Sequence, residues 1–98
     1  MTPQFEWDER KAEVNVKRHG VSFEEATSVF RDPLACIFND EWHSIGEARE
    51  IIIGHSLQER LLLICFTERS GVVRIISARP ATRKERKNYE EYLSFSRD

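Results

Sequence analysis

The sequence predicts an α+β domain, with two helices near its start, an antiparallel sheet of about four strands, and one helix near its end. Three observations predict it. Helix-start signals precede two stretches near the start and one near the end. Four apolar runs rich in Ile, Val, Leu and Phe lie between them. The links joining the last three runs are short, which implies hairpins and antiparallel order.

Phe5-Glu6-Trp7 is at most a short extended segment. Asp8 stands where a helix N-cap belongs, ahead of Glu9 to His19, and Gly20 follows at the usual C-terminal stop. Ser22-Phe23-Glu24-Glu25 fits a capping box in which Ser22 caps and Glu25 reaches back. The helix it opens puts Phe23, Ala26, Val29 and Phe30 on one face, and Pro33 closes it. Ala35 to Phe38 is a short strand-like run, and Asn39 to Gly46, with Trp42 and His43, reads as a loop. Glu50 to His55 and Arg60 to Thr67 are longer runs joined through Leu57-Gln58-Glu59. Glu68 to Gly71 links Thr67 to the run Val72 to Arg79. Thr82-Arg83-Lys84-Glu85 is a second capping box and predicts a last helix from about Thr82 to Leu93. The order is β-α-α-β-β-β-β-α, with the first strand in doubt. Two helices must cover one face of the sheet, and the third lies against the other face or an edge.

Ninety-eight residues suit a single domain, 1–98, with one modest core. No stretch approaches the roughly 20 apolar residues of a membrane span, and the start lacks the basic-then-apolar pattern of a signal peptide. Cys36 and Cys65 sit apart in apolar runs without metal spacing, as reduced core thiols of a cytoplasmic protein would. The net charge of −2 hides an asymmetry. Residues 1–59 hold 6 Lys/Arg against 12 Asp/Glu, and residues 60–98 hold 9 against 5, so −6 and +4 sum to −2. A local basic face is what a phosphate backbone senses, so the low total charge does not remove nucleic acid from consideration.

The densest positive charge runs from Arg74 to Lys87. Arg74 and Arg79 stand in a strand among Ile75, Ile76 and Ala78, where an unpartnered guanidinium is costly, so an anionic ligand or an acidic partner is indicated. If Thr67 pairs with Val72, alternation gives one core face of Leu62, Ile64, Phe66, Val73 and Ile75, and a more polar face of Cys65, Thr67, Val72, Arg74 and Ile76. Strict alternation sends Arg79 to the core face unless a bend at Pro80 redirects it.

The chain resembles the BrnT toxins of bacterial type II toxin–antitoxin modules. The residues that carry the resemblance are Phe5 to Lys11 with Asn15, His19 to Ala26, and Val29 to Pro33. Further on they are Arg49, Ile53-Gly54, Phe66 to Arg69, and Arg74 to Arg79 with Glu85-Arg86-Lys87 and Tyr89. The resemblance implies a RelE-like ribonuclease fold, RNA cleavage without a metal or other cofactor, and growth arrest. It also implies a small BrnA-like antitoxin as partner, with operator DNA reached only through that antitoxin. The expected assembly is a hetero-oligomer with the antitoxin, a homodimer being the state open to the chain alone.

Such cleavage needs a base for the 2′-hydroxyl, a cation for the crowded phosphate and an acid for the leaving oxygen. Arg74 and Arg79 are the first candidates to clamp phosphate, with Arg69 third, because the planar guanidinium binds two oxygens at once. The competing reading pairs Arg74 with Glu50 or another sheet carboxylate. Glu68 is a candidate base, and His43 and His55 are acid–base candidates. Lys17 on the first helix, and Arg83, Lys84, Arg86 and Lys87 on the last, are candidates for positioning the RNA backbone. Lys11 and His19 read as surface and helix-end residues. Tyr89 is a candidate base-stacking ring, although its spacing with Tyr92 and Leu93 fits a buried stripe better. No metal ligand set is apparent.

Two other functions fit parts of the sequence. A non-catalytic module would use the same basic patch only to dock an acidic antitoxin or to support a repressor. A helix-turn-helix around Lys17 to Val21 would need its second helix to approach DNA through the acidic Glu24 and Glu25, which repulsion disfavours. Pro80 and the low net charge are departures from the usual family pattern.

Overall fold

The computed structural model describes residues 3–41 and 46–96. Asp8 caps helix α1, Glu9–His19, by accepting a hydrogen bond from the Lys11 amide at 3.1 Å, and Gly20 ends it in the left-handed region at φ 69°. Helix α2, Phe23–Val29, starts at Ser22, whose hydroxyl accepts from the Glu25 amide at 3.0 Å. Strands β1 (Gln4–Glu6), β2 (Cys36–Asn39), β3 (Glu50–His55), β4 (Leu61–Arg69) and β5 (Val72–Pro80) precede helix α3 (Arg83–Ser96). The observed order is the expected one, and the first strand is present.

The sheet differs from the expectation in being five-stranded and mixed. Its order is β1-β5-β4-β3-β2, and β1 lies parallel to β5 with Phe5 beside Val73, while the other pairs are antiparallel. A chain of edge-to-face rings holds β1 in place: Phe5 on Phe30 at 5.2 Å, Phe30 on Phe66 at 5.0 Å, and Trp7 on Phe23 at 5.9 Å. Strands β4 and β5 run closer together than the sequence suggested. Only Ser70 and Gly71 separate them, both left-handed at φ 52° and 81°, as a two-residue hairpin of matching twist requires.

Helices α1 and α2 cover one face. There Val21, Phe23, Ala26 and Val29 meet Ile52, Leu62, Ile64, Phe66, Val73, Ile75 and Ala78, all buried. On the other face α3 covers only one end, where Tyr89 and Leu93 pack on Cys36, Ile53 and Leu61. Among the described residues, no helix covers the rest of that face.

Register explains where Arg79 goes. Cys65 pairs with Ser77 but Phe66 pairs with Ile75, so β5 carries one extra residue, Ile76, in a bulge. The bulge resets the alternation. Ala78 turns into the core, while Ser77 and Arg79 turn onto the open face. The expected sorting holds up to Ile75, and past it the bulge redirects Arg79, not a bend at Pro80.

The Ser22 capping box is also only half formed. Glu25 does not reach back, because its carboxylate accepts from Arg60 Nε at 3.0 Å and from the Ser56 hydroxyl at 2.7 Å in the β3–β4 turn. Gly54 lets the α2–β2 connection approach β3. A Cβ there would stand 2.8 Å from Ala35 Cβ and 3.0 Å from Asp32 Oδ2. Gly54→Ala is therefore expected to cost about 1–3 kcal/mol by overpacking, seen as a lower urea midpoint at unchanged slope.

Candidate nucleic-acid interface

The open face sorts its side chains in rows across the strands. Ile53, Leu63 and Arg79 form one row, Ile51, Cys65 and Ser77 the next, and Thr67, Arg74 and Glu6 a third. Arg79 and Arg74 thus share the face, but four β4 positions separate their partners, about 13 Å at the usual strand rise. They do not form one clamp.

Arg79 is held firmly. Its Nη1 and Nη2 donate to the two Glu85 oxygens at 2.7 and 2.8 Å, and Nη1 also reaches the Pro80 carbonyl at 3.4 Å. Glu85 sits there because it closes the Thr82 capping box, accepting from the Thr82 amide at 2.9 Å while its own amide donates to Thr82 Oγ1 at 3.1 Å. The Arg79 hydrogen bonds, foremost, and the Thr82 amide hold the Glu85 carboxyl down at about 2 against the cost of burial. Three of the five guanidinium hydrogens are engaged, which leaves two for a further anion.

Arg79 lines a groove of about 240 Å³ together with Arg49, Asp40, Ser77, Cys65, Leu63, Ile51 and Ile76. Asp40 and Arg49 stand at the two ends of the β2–β3 loop, joined by an Asp40 amide to Arg49 carbonyl bond of 2.8 Å. The Cys65 thiol points to Asp40 Oδ2 at 3.8 Å, and burial with the Asp40 charge raises its pKa, so it stays protonated at neutral pH. A second, apolar cleft of about 360 Å³ lies beside it under α3, walled by Phe38, Tyr89 and Tyr92.

The other predicted residues scatter. Arg74 pairs with a sheet carboxylate, as the competing reading has it, but with Glu6 of β1 at 3.7 Å and not with Glu50, and Arg69 pairs with Glu47 at 3.2 Å; the four side chains flank a groove of about 270 Å³ at the far end of the face. Glu68 stands opposite Val73 on the helix-covered side of the sheet, so it cannot serve a phosphate at Arg79. His55 lies at the end of β3, where its amide donates to Asp32 at 2.7 Å and its ring packs on Tyr89 at 6.0 Å, two strands away from Arg79. Tyr89 is 5% exposed and donates to the Leu34 carbonyl at 3.2 Å, so its ring is not offered for stacking. Arg83, Lys84, Arg86 and Lys87 are exposed on α3 and form no ion pair among the described residues. Lys17 is exposed on α1. His43 lies outside the described residues.

A further groove of about 260 Å³ runs between α1 and β5, lined by Arg10, Lys11, Val14, Asn15, Arg18, His19, Ile76 and Ser77. Sequence reasoning missed it: Lys11 and His19 read as surface and helix-end residues, and Arg10, Val14 and Arg18 were not singled out. Asp40, Arg49 and Glu85 were also not picked as site residues. Glu85 carried a signal through its capping-box position and Arg49 through the family resemblance, but nothing local said that the Glu85 carboxylate would reach β5.

The profile of a family described as "Ribonuclease toxin, BrnT, of type II toxin-antitoxin system" matches residues 7–85. The chain belongs to this BrnT family. The crystal structure of the Brucella abortus ribonuclease toxin BrnT, solved at 1.1 Å, has the same fold, with a TM-score of 0.64 at 22% identity over 84% of this chain and 100% of that one. No curated protein matches the sequence. BrnT proteins are toxins of type II toxin–antitoxin systems, so an antitoxin is the partner that the family implies. No helix among the described residues is long and apolar enough to cross a membrane.

Proposed function

We propose that this BrnT-family chain is an endoribonuclease that cleaves RNA on the open sheet face without a metal, by a RelE-like strategy of fixed cations. The observation that carries the proposal is Arg79, turned onto that face by the Ile76 bulge and locked in orientation by Glu85. A guanidinium fixed in this way needs no reorganisation when charge builds on a phosphate, which is where electrostatic catalysis gains most. Its two remaining donors meet the phosphate oxygens, and Arg49 across the groove adds a second cation. Asp40 is the carboxylate in the same groove and takes the role of base that Glu68 cannot. Glu85 is a positioning residue: a carboxyl held down at about 2 has too little proton affinity to act as a base near neutral pH.

The single domain works in the cytoplasm in this proposal. A small BrnA-like antitoxin neutralises it in a hetero-oligomer, and operator DNA is reached only through that antitoxin. The arginine–carboxylate pairs favour one rival, a module that only binds its antitoxin, since each of Arg69, Arg74 and Arg79 already has a counter-charge.

Expression of the chain alone is expected to arrest growth and fragment RNA, and co-expression with its antitoxin to relieve both. Purified protein is expected to cleave RNA equally well with and without a chelator. Intact RNA beside tight antitoxin binding would favour the binding module, and cleavage abolished by chelator would remove the metal-free mechanism.

A further inference from the structure

Strand β5 is covered by β1 only from Val72 to Arg74. Beyond that point its outer edge lies beside α1, and one side chain stands in for the missing strand. Asn15 Nδ2 donates to the Ala78 carbonyl at 2.7 Å and Oδ1 accepts from the Ala78 amide at 3.1 Å, the exchange a strand neighbour would make. Nδ2 also donates to the Val21 carbonyl at 2.9 Å, so both hydrogens of the buried amide are used. Asn15 pins α1 alongside the edge and leaves Ile76 and Ser77 as the floor of the α1–β5 groove.

Four cationic or titratable side chains rim that groove at helical spacing: Arg10, Lys11, Arg18 and His19. Arg10, Arg18 and His19 make no side-chain ion pair or hydrogen bond among the described residues, and Lys11 lies in the field of Asp8. The contrast with Arg69, Arg74 and Arg79, each matched to a carboxylate, is plain. Arg10 and Arg18 stand about 12 Å apart along the axis, far enough to meet more than one phosphate of an extended strand.

The position of the groove gives these charges meaning. Ile76 and Ser77 line it, and the same two residues line the Arg79 groove on the open face. The two depressions meet across the bulge, so the open face continues over the edge of β5 onto the basic face of α1.

We propose that the α1–β5 groove is a second phosphate subsite, in which Arg10, Arg18 and Lys11 hold the backbone of single-stranded RNA that leaves the Arg79 groove over Ile76 and Ser77. The inference rests on the ribonuclease reading for the identity of the ligand. It adds a direction to the RNA path and an extended footprint. Phosphate contacts of this kind position a strand without reading its bases.

The test measures binding, not cleavage, with an uncleavable 2′-O-methyl RNA of about ten nucleotides across a range of salt. The double variant Arg10→Gln/Arg18→Gln is expected to weaken binding about tenfold and to reduce the salt slope by about 1.4, two contacts at about 0.7 each for a single strand. Arg31→Gln removes the same kind of charge from a residue that lines none of these grooves, and it is expected to leave the slope unchanged. The substituted side chains are exposed, and an unaltered thermal melt confirms the fold. A wild-type slope in the double variant overturns the subsite, as does failure of the wild-type protein to bind the oligonucleotide. Loss of antitoxin affinity with RNA binding intact also overturns it, and makes the groove a protein-docking surface. A normal effect on binding in a protein that never cleaves RNA leaves the subsite standing and sinks the ribonuclease reading alone.

Discussion

Arg79→Ala is expected to lower RNA cleavage by about 10²–10³-fold, the usual loss when one preorganised donor to a developing oxyanion is removed. The substitution also strands the Glu85 carboxylate, so loss of activity alone would not separate chemistry from damage to the start of α3. Two companions separate them. Arg79→Lys keeps the charge but loses the two-pronged geometry, and is expected to recover binding more than turnover. Glu85→Gln keeps an oxygen for the Thr82 amide and removes one negative charge beside the groove. It is expected to tighten RNA binding about five- to tenfold through the lost repulsion, while slowing turnover because Arg79 is less firmly oriented. Wild-type cleavage by Arg79→Ala would remove this groove from the mechanism. The pH profile offers a further check. With the Glu85 carboxyl at about 2, the Arg79–Glu85 pair stays ionised throughout the neutral range, so it should contribute no inflection there. Its contribution to stability is present above the ordinary carboxyl value of 4.5 and is lost as pH falls toward 2.

Arg60→Ala is expected to give the largest loss of stability. The Glu25 side chain is 4% exposed, and Arg60 satisfies both of its oxygens while Ser56 adds a third bond. Arg60 also donates to the Gly20 carbonyl at 3.0 Å, tying the end of α1 to the β3–β4 turn. Removing it leaves a buried carboxylate without its counter-ion. The cost is expected to be about 2–3 kcal/mol, below the range for a fully enclosed pair because the guanidinium is partly in water. For a domain of this size that lowers the melting temperature by roughly 10–20 °C. The Arg60 hydrogen bonds hold the Glu25 carboxyl below its ordinary 4.5, so this stabilisation is present above that value and fades as pH falls through the folded value. The melting difference between wild type and Arg60→Ala should therefore shrink in acid. Glu25→Gln/Arg60→Met is expected to be less damaging than the sum of its single changes, since it removes both charges together. An unchanged melting temperature in Arg60→Ala would show that the pair contributes nothing net.

Local chemistry made much of the fold readable. Asp8, Ser22 and Thr82 marked the helix starts, Gly20 marked a stop, and the alternation from Leu62 to Phe66 placed the core face. What stayed hidden depends on distant partners. Three residues of β1 carry no pattern long enough to announce a strand, and their neighbour lies nearly seventy positions away. The Ile76 bulge leaves no mark in a run of β-branched residues, so alternation failed at the residue on which the site turns. Carboxylates within or beside the groove were missed for the same reason: Asp40 belongs to a loop and Glu85 to a helix cap, and tertiary structure alone brings them to β5.

The extra residue in β5 makes the facing of Arg79 depend on strand geometry and chain length together. Deleting Ile76 alone would set Ile75, Ser77, Ala78 and Arg79 opposite Phe66, Cys65, Ile64 and Leu63 in an unbroken ladder, with Arg79 still on the open face and Ala78 still in the core. A relative of the same length whose strand ran without the bulge would instead turn the equivalent arginine beneath the helices. The count of positions from the hairpin to the arginine therefore has meaning only when read together with the bulge.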